Sequence, residues 1–238
     1  MRLLFIIVIG LSTYTLSAQK PPKLKPFGYI HIDVPEPSDI IANPFKPNHF
    51  FVVSDDGFLF EMNRDGKITR KADFTGIDCE GVYANDTAIF VVEEYTRKIR
   101  VFDYASLSLQ QTAIFPYSGG RNKGYESITY NEVRQRFLMI TEKDPIYLVE
   151  LDKDLNRVNE VYLEGIARDI SAATWYDNHV WLLSDEDMEV IKLNPNNYQE
   201  IMRWRIPIIN PEGICFYDNR MFILSDDMER LYEFPIPQ

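Results

Sequence analysis

Eight acids recur at matching places along this 238-residue chain and define the chemistry open to it. Glu80, Glu126 and Glu212 each open a short apolar segment, reading Glu-Gly-Val, Glu-Ser-Ile and Glu-Gly-Ile. Asp55, Glu94, Glu142, Asp185 and Asp226 each sit just beyond an apolar run. Carboxylates brought within a few ångströms of one another cannot all stay ionised without a cation or raised pKa values. A hard cation with oxygen ligands relieves that repulsion. Ca2+ takes about 6–8 oxygens in flexible geometry, whereas Mg2+ demands a tighter octahedron. Zn2+ fits less well, because neither the two cysteines nor the three histidines follow the pattern of the acids. Acids at strand ends are also ordinary solvated turn residues, so the reading depends on whether the fold gathers them.

The elements that must do the gathering repeat. Five segments share a short strand, a polar turn and an apolar run ending in acids: residues 40–56, 80–94, 126–143, 171–186 and 212–227. The second residue after each run is an acid, at Asp55, Glu94, Glu142, Asp185 and Asp226, giving successive gaps of 39, 48, 43 and 41 residues. That period suits four short strands per unit. The runs are rich in Val, Ile, Phe, Tyr and Trp, which favour pleated surfaces, and the turns carry Asn, Asp, Gly and Pro. The fifth unit stops one strand short, and an unpaired edge is a liability that closed folds remove. Phe27–Val34 supplies the missing strand: it alternates Tyr29, His31 and Asp33 with Ile30, Ile32 and Val34. The expected fold is an all-β, five-bladed β-propeller over residues 27–238, with four antiparallel strands per blade and the N-terminal strand completing the last blade.

Antiparallel order sorts the acids. With strands A to D counted outward from the channel, the start of A and the end of B share one face of the disc. Glu80, Glu126 and Glu212 begin A strands, as do Ser38 or Asp39 and Asp169 or Ser171 in blades one and four. All should converge with the five B-strand acids on one channel mouth. His49 and His179 fall in A–B turns on the opposite face, and His31 lies in an outermost strand. No histidine is then placed to act as a base at the mouth, and no GxSxG elbow or other nucleophile constellation occurs. No catalytic residue is assigned. On the acidic face lies the loop Ser118–Gly124, whose Arg121 and Lys123, with Lys143, add positive charge suited to an anionic or sugar-like ligand.

Ordered motifs along the chain carry a family resemblance. They are Asp78-Cys-Glu80-Gly-Val82, Val91-Val-Glu-Glu94, Tyr125-Glu126-Ser127-Ile128, Thr141–Ile146, Asp169-Ile-Ser171-Ala172 and Pro211-Glu212-Gly213-Ile214. In this order they resemble the bacterial SdiA-regulated family, itself distantly related to NHL-repeat propellers. The resemblance implies an exported five-bladed propeller with a bound calcium ion and no established activity. Carried onto this chain, it implies Glu80, Glu126 and Glu212 as ligands, with a B-strand acid, Glu94, contributing. Asp55, Glu142, Asp169, Asp185 and Asp226 are further acids of the same face. Blades one and four depart, with Ser38 and Ser171 at the glutamate position. A ring of five carboxylates is therefore excluded.

The remaining sequence bounds the function. Arg2, the apolar run Leu3–Leu11 and the small residues Leu16-Ser17-Ala18 read as a signal peptide, residues 1–18, directing the chain to the periplasm or outside the cell. Residues 19–26 read as a Pro/Lys-rich linker, disordered or extended. Without residues 1–18 the chain has 24 basic and 36 acidic side chains, a net charge of −12 that argues against nucleic acid. No segment approaches the roughly 20 apolar residues of a membrane span. Cys79 and Cys215 lie beside distant repeats and are expected unpaired and buried. The expectation is a monomer that binds a small-molecule, glycan or protein ligand at a calcium-filled mouth. The alternative is a calcium-dependent hydrolase of lactones or phosphoesters, by analogy with gluconolactonase- and paraoxonase-type propellers.

Overall fold

A computed structural model describes residues 20–115 and 124–238. The signal-peptide reading of residues 1–18 and the loop cations Arg121 and Lys123 lie outside the described residues. Strand β1 (Gly28–His31) precedes five repeating units. Blade one is β2 (Pro37–Ala42), β3 (His49–Ser54), β4 (Phe58–Asn63) and β5 (Ile68–Lys71). Blade two is β6 (Cys79–Ala84), β7 (Ala88–Glu93), β8 (Lys98–Asp103) and β9 (Leu109–Ile114). Blade three is β10 (Tyr125–Asn131), β11 (Arg136–Thr141), β12 (Tyr147–Leu151) and β13 (Arg157–Tyr162). Blade four is β14 (Ala172–Tyr176), β15 (His179–Ser184), β16 (Glu189–Leu193) and β17 (Glu200–Arg205). Blade five is β18 (Pro211–Tyr217), β19 (Arg220–Ser225) and β20 (Arg230–Pro235), completed on its outer edge by β1. Each blade is one four-stranded antiparallel sheet, and no helix among the described residues is long and apolar enough to cross a membrane.

Local chemistry explains the strands. The second strand of each blade is covered on both faces by neighbouring blades, so it reads as an unbroken apolar run rather than an alternation. Phe50-Phe51-Val52-Val53 in β3 is wholly buried. Outer strands have one open side and are correspondingly polar: Leu109–Ile114 is exposed at five of its six positions. Two inner hairpins close on left-handed pairs, Asp177-Asn178 (φ 48° and 57°) and Asp218-Asn219 (φ 49° and 55°). Such two-residue turns match the right-handed twist of the flanking strands. The outer strand of blade one ends at Lys71, three residues before Phe74. Phe74 instead packs edge-on against Phe102, 5.0 Å between centroids, in the core between blades one and two.

Five apolar cores occupy the five seams between adjacent blades and close the ring. The seam between blades four and five holds Trp181 stacked near Trp204, with Phe216 and Phe234 beside them. Blade five meets blade one around Phe50, Phe222, Cys215, Ile32 and Val34. Both cysteines are buried and unpaired. Residues 20–26 are not a free spacer. Leu24 N–H donates to the Arg205 carbonyl at 2.8 Å, and Arg205 N–H donates to the Pro22 carbonyl at 2.9 Å. This brief parallel bridge along β17 brings Leu24 onto the blade four–five core.

The inner strands approach closely enough to require glycine at two places. A Cβ on Gly81 would lie 2.7 Å from the Cα of Ser127, and one on Gly213 would lie 3.0 Å from the Cα of Asp39. Gly81→Ala must therefore push whole strands apart and is expected to cost about 1–3 kcal/mol. In a domain of this size that is a fall in Tm of roughly 2–4 °C per kcal/mol. Thermal melts against Gly28→Ala, whose added methyl meets nothing within 4 Å, provide the check. Equal melting of the two variants would refute the close-approach argument.

Candidate metal centre

A shared irregularity aims the inner-strand acids. In blades one, two, three and five the register between first and second strands slips by one residue, at Pro37/Asp39, Cys79/Gly81, Tyr125/Ser127 and Pro211/Gly213. The skipped residues are Ser38, Glu80, Glu126 and Glu212. A bulge leaves one residue unpaired and re-aims its side chain, here toward the channel mouth. Blade one is thereby settled: Ser38 takes the glutamate position. Asp39 accepts the N–H groups of Ile40 and Val82 at 2.8 and 2.9 Å, tying blade one to blade two.

The mouth encloses a cavity of about 240 Å3. All nine acids singled out from the sequence line it, joined by Asp78, Glu186, Lys143 and Ser171. The gathering is lopsided. Asp78, Glu80 and Glu94 bring one carboxylate oxygen each within 4.8 Å of one another, and so do Glu94, Glu126 and Glu142. Glu94 belongs to both groups. Glu212 lines the same cavity but belongs to neither triad. Asp55, Asp185 and Asp226 share its side of the mouth.

Burial drives the electrostatics. Glu94 and Glu126 are only 4 % and 9 % exposed. Burial, followed by the charges of Glu80, Glu94 and Glu142, pushes the Glu126 carboxyl far above its ordinary range. Glu80 is raised by burial and then by Asp55, Asp78, Glu212 and Glu94. Burial raises Glu94 too, although the Gly124 N–H donates to its Oε1 at 2.7 Å. Burial likewise outweighs the Lys143 ion pair at Glu142, whose Oε2 is enclosed without a hydrogen-bond partner. Across the mouth, burial and the charges of Asp185 and Asp226 push Glu212 up to about 8. Burial and the charge of Glu36 raise Asp226 to about 6.

Further residues lining the mouth are held by their neighbours. Asp55 accepts a short hydrogen bond from Ser38. Asp169 accepts from the Ser184 hydroxyl at 2.6 Å and from Glu186 N–H at 3.1 Å, and Ser171 donates to the Pro211 carbonyl at 2.7 Å. Lys143 is the one cation among the described lining residues, paired with Glu142 and, at 3.6 Å, with Glu186. The histidines stand elsewhere: His31 on outermost β1, and His49 and His179 at the far-face starts of β3 and β15. Asp78, which opens the Asp78–Val82 motif, is a site residue that the repeat pattern of the acids does not include. Its backbone is left-handed (φ 61°) and Glu80 sits in a bulge, so the period of an extended strand does not place the two acids together.

Buried acids elsewhere in the ring behave oppositely. Burial also pushes Glu61 and Glu150 upward, but Lys46 and Arg70 hold the first below its ordinary range, and Arg134, Tyr198 and Asn159 the second. These are balanced structural ion pairs. The mouth acids have no comparable set of cations among the described residues.

Solved structures share this architecture. A glutaminyl cyclase from Myxococcus xanthus superposes with a TM-score of 0.72 at 13 % identity, covering 90 % of this chain and 97 % of that one. A protein of unknown function from Bacteroides caccae gives 0.59 at 12 % identity, covering 79 % and 70 %. A virginiamycin B lyase from Staphylococcus aureus gives 0.53 at 14 % identity, covering 84 % and 66 %. At such identities the likeness is one of fold. The SdiA-regulated family model matches residues 35–234, nearly the whole propeller with its bulged inner strands and acidic mouth, and the chain belongs to that family.

Proposed function

We propose that this chain is an exported calcium-binding propeller whose mouth docks a small-molecule, glycan or protein ligand. The observation that carries the reading is Glu94, a buried carboxylate shared by two acid triads, beside a Glu142 oxygen enclosed without a partner. The donor set fits the ion, since every side chain in both triads offers carboxylate oxygen, the ligand type Ca2+ prefers. Asp78, Glu80, Glu94, Glu126 and Glu142 would hold it, and a bound ion would supply a positive centre able to orient ligand oxygens. Lys143 adds a second positive group at the rim, and the apolar N-terminal run supports export.

Calorimetric titration of metal-stripped protein with CaCl2 tests the reading. Saturable binding and a calcium-dependent rise in Tm are expected, with affinity at least tenfold weaker in Glu94→Gln. No heat and no change in melting would remove the proposal. A glycan array read with and without calcium then addresses the ligand.

A second reading, a calcium-dependent hydrolase of lactones or phosphoesters, is favoured by one observation. Glu212, raised to about 8, can exchange a proton near neutral pH, as a general acid or base must. The cyclase and lyase activities named for the fold neighbours support it by analogy alone. Turnover of a lactone or phosphoester that Glu212→Gln abolishes would establish it over simple binding.

A further inference from the structure

The two triads meet at one carboxylate and still have separate partners. On one side Glu94 groups with Asp78 of the blade one–two connection and Glu80 of β6; on the other it groups with Glu126 of β10 and Glu142. We propose that the mouth holds two divalent cations, one in each triad, bridged by Glu94. This rests on the calcium reading above and deepens it.

Three observations converge on a pair rather than a single ion. The acid–acid contacts are the first. Glu94 approaches Asp78 and Glu80 on one side and Glu126 and Glu142 on the other, the carboxylate oxygens of each group lying within 4.8 Å of one another. Carboxylates held so close repel one another unless positive charge stands between them. Two such contacts mark two places for a cation. Unanswered donors are the second. Glu126 is nine-tenths buried, lines the cavity and accepts no hydrogen bond from any N–H group among the described residues. Glu142 Oε2, in the same triad, is enclosed with no partner. These two leave the second triad with an unmet demand that an ion held by Asp78 and Glu80 does not meet. Charge is the third. Five ionised carboxylates carry −5, a single divalent ion leaves −3 in a buried site, and a second leaves −1. Lys143, paired with Glu142, then brings the centre to neutrality.

Metal stoichiometry separates the possibilities. Metal-stripped full chain titrated with CaCl2 is expected to take up two ions, confirmed by elemental analysis after desalting. Asp78→Asn and Glu142→Gln should each retain one, and Glu94→Gln should weaken both by at least tenfold. Loading the wild-type chain with two equivalents of Mn2+ gives a readout that needs no variant. A bridged pair is exchange-coupled, so the six-line electron paramagnetic resonance signal of isolated Mn2+ should be strongly attenuated. One ion per chain, or an unattenuated six-line spectrum at two bound equivalents, would overturn the bridged pair while leaving calcium binding intact. No bound ion at all would overturn both. Circular dichroism of each variant confirms folding, and the wild-type measurements decide the matter if a variant fails that control.

Discussion

Deleting residues 20–34 is expected to cost the protein its cooperative fold, leaving a chain that melts more than 10 °C lower or shows no transition and that self-associates. The segment does three jobs at once. Gly28, Tyr29, Ile30 and His31 pair with Glu233, Tyr232, Leu231 and Arg230, giving blade five its fourth strand. Ile32 and Val34 are buried in the seam between blades five and one, and Leu24 packs on the seam between four and five. Burying one such side chain contributes about 1.5–3 kcal/mol. Ile32 and Val34 alone therefore account for a large part of a total stability of about 5–15 kcal/mol. The deletion also uncovers β20, whose free N–H and C=O groups would template pairing with another chain. Size-exclusion chromatography and differential scanning fluorimetry of the shortened chain provide the check. A monodisperse species melting within about 2 °C of the full chain would show that the ring does not need this closure.

The second large effect concerns pH. Stripped of divalent ions, the protein is expected to lose stability steadily as pH rises from 5 to 8. The sign follows from the mouth. Glu212 is raised to about 8 and Asp226 to about 6 by burial and neighbouring acids, against unfolded values of about 4. Between the unfolded and folded values the native state holds more protons than the unfolded state, so each added pH unit favours unfolding. A fully buried group contributes about 1.4 kcal/mol per unit within its window. Asp226, more open to water, contributes less. Glu80 and Glu126 act in the same direction. The stabilising effect is complete below pH 4 and gone above the folded values. Glu61 and Glu150, held low by their cationic partners, act oppositely but only at more acidic pH. Millimolar calcium should flatten the profile, because an ion that binds only the native state stabilises it by mass action. Melting curves from pH 5 to 8, with and without calcium, measure this directly. Stability rising with pH in the metal-free protein would contradict the clustered, ion-deficient mouth.

The propeller itself was largely legible in the sequence. Phe50–Val53 and its four counterparts announce second strands because burial on both faces demands unbroken apolar runs, and the gaps between the following acids announce the blades. The alternation in Phe27–Val34 marked a half-exposed closing strand, although pairing stops at His31 and Ile32 and Val34 turn into a seam. The mouth was legible as a neighbourhood, since antiparallel order alone sends strand starts and ends to known faces. Its inner geometry was not. Glu80, Glu126 and Glu212 look equivalent as residues and share the same bulge, yet only the first two join triads with Glu94. Asp78 enters through a left-handed backbone (φ 61°) whose carbonyl accepts the Glu94 N–H at 2.8 Å, a detail no spacing encodes. The docking of Leu24 on β17 was likewise invisible, because one leucine among prolines and lysines carries no period.

The partnership of β1 with β20 also sets the order of events during folding. His31 and Arg230 lie 199 residues apart, and closing a loop of that length costs about 5 kcal/mol of chain entropy. Four blades can assemble from contacts near in sequence, while the fifth needs one strand from before blade one and three from after blade four. Its completion therefore waits until β20 has been made. Any chain that stops short of Arg230 leaves β1 without its partner strand, so the seal of the ring reports whether synthesis has passed that point.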